Sequence, residues 1–243
     1  MLTEILLAVV QAATEFLPVS SSGHLALVSN LISEPNLFFF TVLHLASLIA
    51  VLIFTRREIV DLLRFDSSAL KMWGFLIVAT IPAALFGYFF SSVIESSLSS
   101  YLFLGIAFIF TGVILLLTKF ASLGGKLNLK NSFVIGLFQV LALFPGVSRS
   151  GMTISSGIFF GIDREKAARF SFLLFIPLVI GATFLELGNF YFSWSLVVSF
   201  LVSLILSLAF LKLLFEVIRR GKFWLFSIYC FLIGLVSLGL SFL

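Results

Sequence analysis

The 243 residues are 61% hydrophobic and 11% charged, and their mean hydropathy of +1.24 lies outside the range of soluble globular domains. Such a chain has the bilayer as its solvent. At about 20 residues per spanning helix its apolar segments fill one membrane domain, 1–243, with no room for a separate soluble one. The net charge of +4 does not point to nucleic acid, because Lys and Arg sit in short segments beside apolar stretches rather than along one face. The lone cysteine, Cys230, excludes an intrachain disulfide and a cysteine-based metal site.

In chain order, the first apolar stretch, 1–34, is broken at its centre by Phe16-Leu17-Pro18-Val19-Ser20-Ser21-Ser22-Gly23. It carries Glu4, Gln11 and Glu15, lacks a basic start and runs into this motif rather than into a cleavage site, so it is expected to stay in the mature protein. Three stretches long enough to span the membrane follow at 37–55, 74–91 and 101–118. A second broken stretch, 132–161, is interrupted by Phe144-Pro145-Gly146-Val147-Ser148-Arg149-Ser150-Gly151. Three more spans are expected at 168–186, 194–214 and 223–242. Pro82 and Pro177 fall inside two of the six, where neighbouring helices can satisfy the freed carbonyls. Irregular backbone at membrane depth is tolerated only where protein or a wet cavity covers it, so each broken stretch reads as a re-entrant helix–turn–helix.

The basic residues test that topology. Arg56, Arg57, Arg64 and Lys71 follow the first span; Lys119, Lys126 and Lys130 follow the third; Arg164, Lys166 and Arg169 precede the fourth; Arg219, Arg220 and Lys222 precede the last. All four groups are expected on the cytoplasmic side, whereas 92–100 and 187–193 hold no Lys or Arg and suit the outer side. The segment 132–161 then enters and leaves from one face, and 1–34 dips in from the other. An internal repeat points the same way. Sliding the chain by 128 positions lays Gln11 on Gln139, Phe16 on Phe144, Ser20 on Ser148, Ser22 on Ser150 and Gly23 on Gly151. Each half, 1–118 and 132–243, is then one hairpin plus three spans, and an odd number of spans makes the repeat inverted. The expected fold class is an all-α polytopic membrane protein with six transmembrane helices, two re-entrant hairpins and hairpin tips meeting near the midplane.

Arg149 carries the most information. A charged side chain at membrane depth costs roughly 2.5–3.5 kcal/mol on insertion scales, so it is expected to face a cavity and a partner. Ser148, Ser150, Gly151 and Thr153 surround it at a helix start, where hydroxyls, close backbone approach and a planar guanidinium together suit phosphate oxygens. The alternative is an Arg paired structurally with a carboxylate such as Glu15, or snorkelling to an interface. Gln11 and Glu15, four residues apart, share a helix face ahead of Ser20, Ser21 and Ser22. That pair is compatible with a divalent cation, Mg²⁺ or Ca²⁺, between Glu15 and phosphate oxygens, and equally with capping or interhelical hydrogen bonds. Ser21, which superposes on Arg149, is a candidate nucleophile and His24 a candidate proton carrier, although a histidine near a serine is more often structural. His44, in an apolar span without polar sequence neighbours, is assigned a structural role.

Gln11-Ala12-Ala13-Thr14-Glu15 with Phe16 to His24, and Pro145 to Thr153 in the second half, resemble the undecaprenyl-pyrophosphate phosphatase family of the bacitracin-resistance type. The resemblance covers essentially the whole chain, including Ala168-Arg169-Phe170-Ser171-Phe172-Leu173-Leu174. It implies a hydrolase of the bacterial cytoplasmic membrane with its site open to the outer face. Such an enzyme removes the terminal phosphate of a C55 polyprenyl pyrophosphate, with a divalent cation, and so regenerates the carrier lipid for cell-wall synthesis. It further implies that Gln11 and Glu15 serve the metal and phosphate. Ser21, His24 or a metal-bound water would attack or move protons, and Ser20, Ser22, Ser148, Arg149, Ser150, Gly151 and Thr153 would hold the pyrophosphate. Relatives suggest a homodimer. The rival class is a secondary transporter or lipid flippase, since inverted repeats with broken helices also mark alternating access; a structural scaffold is the third.

Overall fold

A computed structural model describes residues 2–32, 37–186 and 192–242. Its described residues form twelve α-helices joined by short turns and 3₁₀ segments: α1 (Leu2–Phe16), α2 (Ser21–Ile32), α3 (Leu37–Phe54), α4 (Arg56–Leu62), α5 (Ser67–Phe89), α6 (Ser91–Ser96), α7 (Tyr101–Leu117), α8 (Leu129–Leu141), α9 (Arg149–Phe159), α10 (Arg164–Glu186), α11 (Trp194–Arg219) and α12 (Phe226–Leu240). The fold is an all-α polytopic bundle. Among the described residues five helices are long and apolar enough to cross a membrane, and a sixth span is counted if α3 and α4, bent by 75° at their junction, are taken as one.

The apolar stretches map onto α3, α5, α7, α10, α11 and α12, with boundaries displaced by up to several residues. Several of the basic residues that flank the spans are themselves helical: Arg56 and Arg57 open α4, Lys71 lies within α5, and Arg164, Lys166 and Arg169 lie within α10. Asp66 explains the early start of α5: its carboxylate accepts the amides of Ser68 and Ala69 at 2.9 and 2.8 Å, capping a turn that hydropathy alone would discard. Of the segment 187–193, residues 187–191 lie outside the described residues.

The core is formed by side chains of α1, α3, α5, α7, α9, α10 and α11, around Phe16, Phe172, Leu174, Leu115 and Ile154. Outward faces stay apolar: Ile77, Ile81 and Leu85 on α5 and Leu232, Leu235 and Val236 on α12 are exposed, which is what lipid requires and water penalises. Ser199, Ser203 and Ser207, at helical spacing on α11, are fully buried in the bundle. Small side chains of this kind let membrane helices approach closely, and α11 packs on both α1 and α3. Helix α8 packs against α5, and α7 against α12.

The two breaks determine where the functional residues stand. Helix α1 stops at Phe16 because Pro18 has no amide to continue the ladder; the Val19 amide turns back to the Leu17 carbonyl at 2.7 Å and Ser20 takes φ = 68°. The second break runs from Leu141 to Ser148, with Gly146 at φ = 88°. Both end in the same cap. The Ser20 hydroxyl accepts the Gly23 amide at 3.3 Å, and the Ser148 hydroxyl accepts the Gly151 amide at 3.1 Å. The tips then touch backbone to backbone, so a Cβ added at Gly23 would lie 2.7 Å from the Gly146 Cα and 2.8 Å from its nitrogen.

Gly23→Ala is therefore expected to destabilise the protein by about 1–3 kcal/mol through overpacking against backbone. Gly74→Ala, where the added methyl meets nothing within 4 Å, is expected to stay within about 1 kcal/mol of the parent. Thermal unfolding of the two variants in detergent separates them; equal midpoints would disprove the tip contact.

Candidate active site

The site assembles where the end of α1 and the starts of α2 and α9 meet. On α1, Gln11 and Glu15 share a face as their spacing requires, and the Gln11 Nε2 donates to Glu15 Oε2 at 2.9 Å. The turn to α2 brings Ser21 back over the end of α1, where its hydroxyl donates to the same Oε2 at 2.5 Å. From the other tip Arg149, the first residue of α9, places Nη2 3.1 Å from Glu15 Oε1. The two charged side chains are 14% and 6% exposed. Burial at that level makes an unpaired charge on either side costly. The guanidinium has further support: Nη1 donates to the Ser171 carbonyl at 3.4 Å, and its carbon lies 4.2 Å from the Phe175 ring centroid.

Both tips open onto a cavity of about 720 Å³ lined by Glu15, Ser21, His44, Arg149, Tyr88 and Phe175 among others. Its walls are polar at the tips and apolar along α5 and α10. Ser20, Ser22 and Ser148 also line it.

Other residues expected to touch substrate are set behind this surface. Ser150 donates to the Phe16 carbonyl at 3.3 Å, tying one tip to the last turn of α1. Thr153 donates to the Arg149 carbonyl at 2.9 Å and meets the Ser171 hydroxyl at 2.6 Å. Gly151 is buried, with its amide used in the α9 cap. None of these three lines the cavity. Gln11 is likewise fully buried behind Glu15.

The two histidines exchange the places that their sequence surroundings suggest. His24 faces α7 and α12: its ring lies parallel to Tyr229 at 5.6 Å and edge-on to Phe108 at 5.1 Å. Its Nδ1 donates to the Ser20 carbonyl at 2.7 Å, while Nε2 meets the Tyr229 hydroxyl at 2.8 Å. It is not among the residues lining the cavity. His44 does line the cavity. Its Nδ1 donates to the Phe40 carbonyl at 2.8 Å, which directs Nε2 toward Glu15 Oε2 at 3.5 Å. The sequence offered no sign of this, since the polar neighbours of His44 come from another helix. Ser171 and Phe175 were missed for the same reason.

As to a cation, Glu15 offers one carboxylate, and the Gln11 Oε1 is a buried oxygen without a hydrogen-bond partner among the described residues. This donor set is hard and oxygen-based, as Mg²⁺ or Ca²⁺ prefers. The described residues contain no group of three or more His, Cys, Asp or Glu that could hold a metal, so phosphate oxygens would have to complete the shell.

A polytopic helical bundle with a carboxylate, a guanidinium and a serine hydroxyl meeting at the wall of a mostly apolar cavity defines a membrane protein built to handle an anionic amphiphile. The chain belongs to the family described as Bacitracin resistance protein BacA, whose model matches residues 4–236. It is 39% identical over 250 residues to an undecaprenyl-diphosphatase of Thermosipho africanus, covering 97% of this chain and 98% of that one. It is 38% identical over 245 residues to one from Methanococcus maripaludis, covering 94% and 96%. Another, from Thermotoga maritima, is 38% identical over 242 residues, covering 96% and 98%.

The buried pair makes a stability prediction independent of any activity. Arg149→Met alone or Glu15→Gln alone is expected to cost about 3–5 kcal/mol or a large loss of folded yield, because each leaves the other partner uncompensated. The double variant is expected to recover most of that loss while remaining inactive. Additive losses in thermal unfolding would show that the two side chains are not coupled.

Proposed function

We infer that this chain is an undecaprenyl-pyrophosphate phosphatase, releasing the terminal phosphate to leave the monophosphate carrier lipid of cell-wall synthesis. The observation that carries the reading is the convergence of Glu15, Ser21 and Arg149 on one wall of the cavity. An anion carrier needs the guanidinium, but it has no use for a hydroxyl held at 2.5 Å by a carboxylate.

That geometry supports the following reaction. Ser21 Oγ attacks the terminal phosphorus and passes its proton to Glu15; the bond from phosphorus to the bridging oxygen breaks, and its electron pair leaves with the prenyl monophosphate. Water then cleaves the phosphoserine. Arg149 balances charge on the phosphoryl oxygens, so the catalytic contribution is positioning and electrostatics rather than covalent assistance to the leaving group. His44 stands beside Glu15, where Nε2 can relay the proton. His24 holds the Ser20 carbonyl and with it the orientation of Ser21. Glu15 and Gln11 would hold a divalent cation, Mg²⁺ or Ca²⁺, which when bound would supply positive charge to the phosphate oxygens.

The fold is further proposed as an inverted repeat, 1–118 and 132–243, with re-entrant hairpins over 1–34 and 132–161. The matching serine caps 128 positions apart support this, as does exchange packing in which α1 meets α11 and α8 meets α5. A cytoplasmic-membrane location with the cavity open to the outer face is supported by the placement of its lining. Thr80 to Tyr88 on α5 and Phe175 to Thr183 on α10 lie at the ends of these helices remote from Lys71 and from Arg164, Lys166 and Arg169.

Phosphate release from undecaprenyl pyrophosphate by the purified protein in detergent, with no gradient present, tests the activity. Wild type is expected to turn over, and Ser21→Ala and Arg149→Lys to fall by at least about a hundredfold. An ammonium cannot reach Glu15 and the Ser171 carbonyl together. No release by wild type would leave a carrier, and chelation without effect would remove the cation.

The apolar wall generates a second test. A Cβ at Gly181 would meet nothing within 4 Å, and the residue lines the cavity. Gly181→Phe is therefore expected to raise KM for the long-chain pyrophosphate several-fold while leaving kcat on farnesyl pyrophosphate near normal. Equal effects on both substrates would place the prenyl chain elsewhere.

A further inference from the structure

A second cavity, of about 390 Å³, lies where α3 bends into α4 and meets α10 and α11. Its polar lining is Arg56, Arg57, Glu58, Arg169 and Lys212, and its apolar lining is Ile53, Phe54 and Leu208. Four cations thus face one carboxylate. That carboxylate is already used, because Glu58 is ion-paired with Arg169. The nearby Glu165 does not relieve the excess either, since it binds Arg169 at 2.8 Å and Arg219 at 3.1 Å. Among the described residues no ion-pair partner is found for Arg56, Arg57 or Lys212.

Lys212 makes the imbalance a matter of membrane physics. It stands seven residues before the end of α11 at Arg219, about 10 Å along the axis at 1.5 Å per residue. The candidate span that holds it contains an 18-residue stretch with a mean hydropathy of 2.5. A cation at such a position requires an anion or a route to the interface. The same cleft presents Ile53, 43% exposed, and Phe54, whose ring is tilted against that of Phe215 with centroids 4.8 Å apart. Cations grouped beside an apolar wall between helix ends match an anionic amphiphile whose headgroup phosphate lies close to its acyl chains. A free phosphate ion would gain nothing from Ile53, Phe54 and Leu208.

We propose that this cleft is a binding site for the headgroup of an anionic phospholipid, with Arg56, Arg57 and Lys212 holding the phosphate and Ile53, Phe54 and Leu208 covering the upper acyl chain. Basic pockets between helices at a membrane face recognise anionic headgroups in this way. The site is separate from the Glu15 and Arg149 centre and shares no lining residue with its cavity.

The test uses the purified full chain in detergent, titrated with dioctanoyl phosphatidylglycerol and read by native mass spectrometry. Dioctanoyl phosphatidylcholine and inorganic phosphate serve as the other arms. Wild type is expected to retain phosphatidylglycerol in preference to phosphatidylcholine, with no displacement by phosphate at equal concentration. Arg56→Gln/Arg57→Gln/Lys212→Gln is expected to bind it on the order of a hundredfold more weakly, because all three charges that hold the phosphate are removed. Lys126→Gln/Lys130→Gln, which removes charge outside the cleft, is expected to bind as wild type does. Turnover of undecaprenyl pyrophosphate by the triple variant reports that it is folded; if it is not, Lys212→Gln alone carries the comparison. Wild-type affinity in the variant, displacement of the lipid by phosphate, or an equal loss in the Lys126 and Lys130 control would each overturn the proposal.

Discussion

A buried ion pair between two chain breaks is the constraint from which the rest of the architecture follows. An unpaired charge on either Glu15 or Arg149 would be costly at its observed burial, because the desolvation of a single ion exceeds what one or two hydrogen bonds return. Each side chain comes from a different tip, so meeting at 3.1 Å ties α1 and α2 to α8 and α9. The ion pair therefore sets a distance between halves as well as a local charge balance. It also leaves both groups beside a cavity, where an incoming anion competes for Arg149 and an incoming hydroxyl proton competes for Glu15.

Irregular backbone carries a second cost in such a place, and the residues that meet it come from distant helices. Thr111 of α7 accepts the Ser148 amide at 3.2 Å and donates to the Gly146 carbonyl at 3.1 Å. Cys230 of α12 lies 3.6 Å from the Pro18 carbonyl. Helices α7 and α12 pack on one another, so each tip is held by one member of a shared pair. Satisfied tips are rigid tips, and preorganisation of Ser21 and Arg149 depends on that rigidity more than on the long helices around them.

How much of this was legible in the sequence depends on the range of each interaction. Spans were legible because hydrophobicity is summed over some 20 residues. The breaks were legible because Pro18 and Gly146 act on their own backbone, and the pairing of Gln11 with Glu15 because helical periodicity is local. Partners across helices were not. His44 reads as an apolar-span histidine until α1 brings Glu15 to 3.5 Å, and His24 reads as a proton carrier until Tyr229, 205 positions away, takes its Nε2. Ser150, Gly151 and Thr153 sit in a motif that suggests phosphate, but the face each presents depends on helix packing, and packing turned them inward. The bend after Phe54 was hidden because Arg56 and Arg57 look like a loop signal whether or not the backbone remains helical.

The sequence match between the two tips extends to the residues that frame the turns and not to those that bear charge. At a displacement of 128 positions the framing residues are kept: Phe16 and Phe144, Ser20 and Ser148, Ser22 and Ser150, Gly23 and Gly151. The residues bearing charge or a reactive group are not kept: Glu15 corresponds to Leu143, Ser21 to Arg149 and His24 to Met152. Two copies of the first tip would face two carboxylates toward each other, and two copies of the second would face two guanidinium groups. Like charges so close in a low-dielectric site repel by several kcal/mol, so that neither arrangement would close. Duplication of the cap with division of the charges lets the halves attract. It also leaves one side of the cavity acceptor-rich, at Glu15, and the other donor-rich, at Arg149. A phosphoryl group requires that asymmetry, because its attacking hydroxyl must lose a proton on one side while its oxygens gain positive charge on the other.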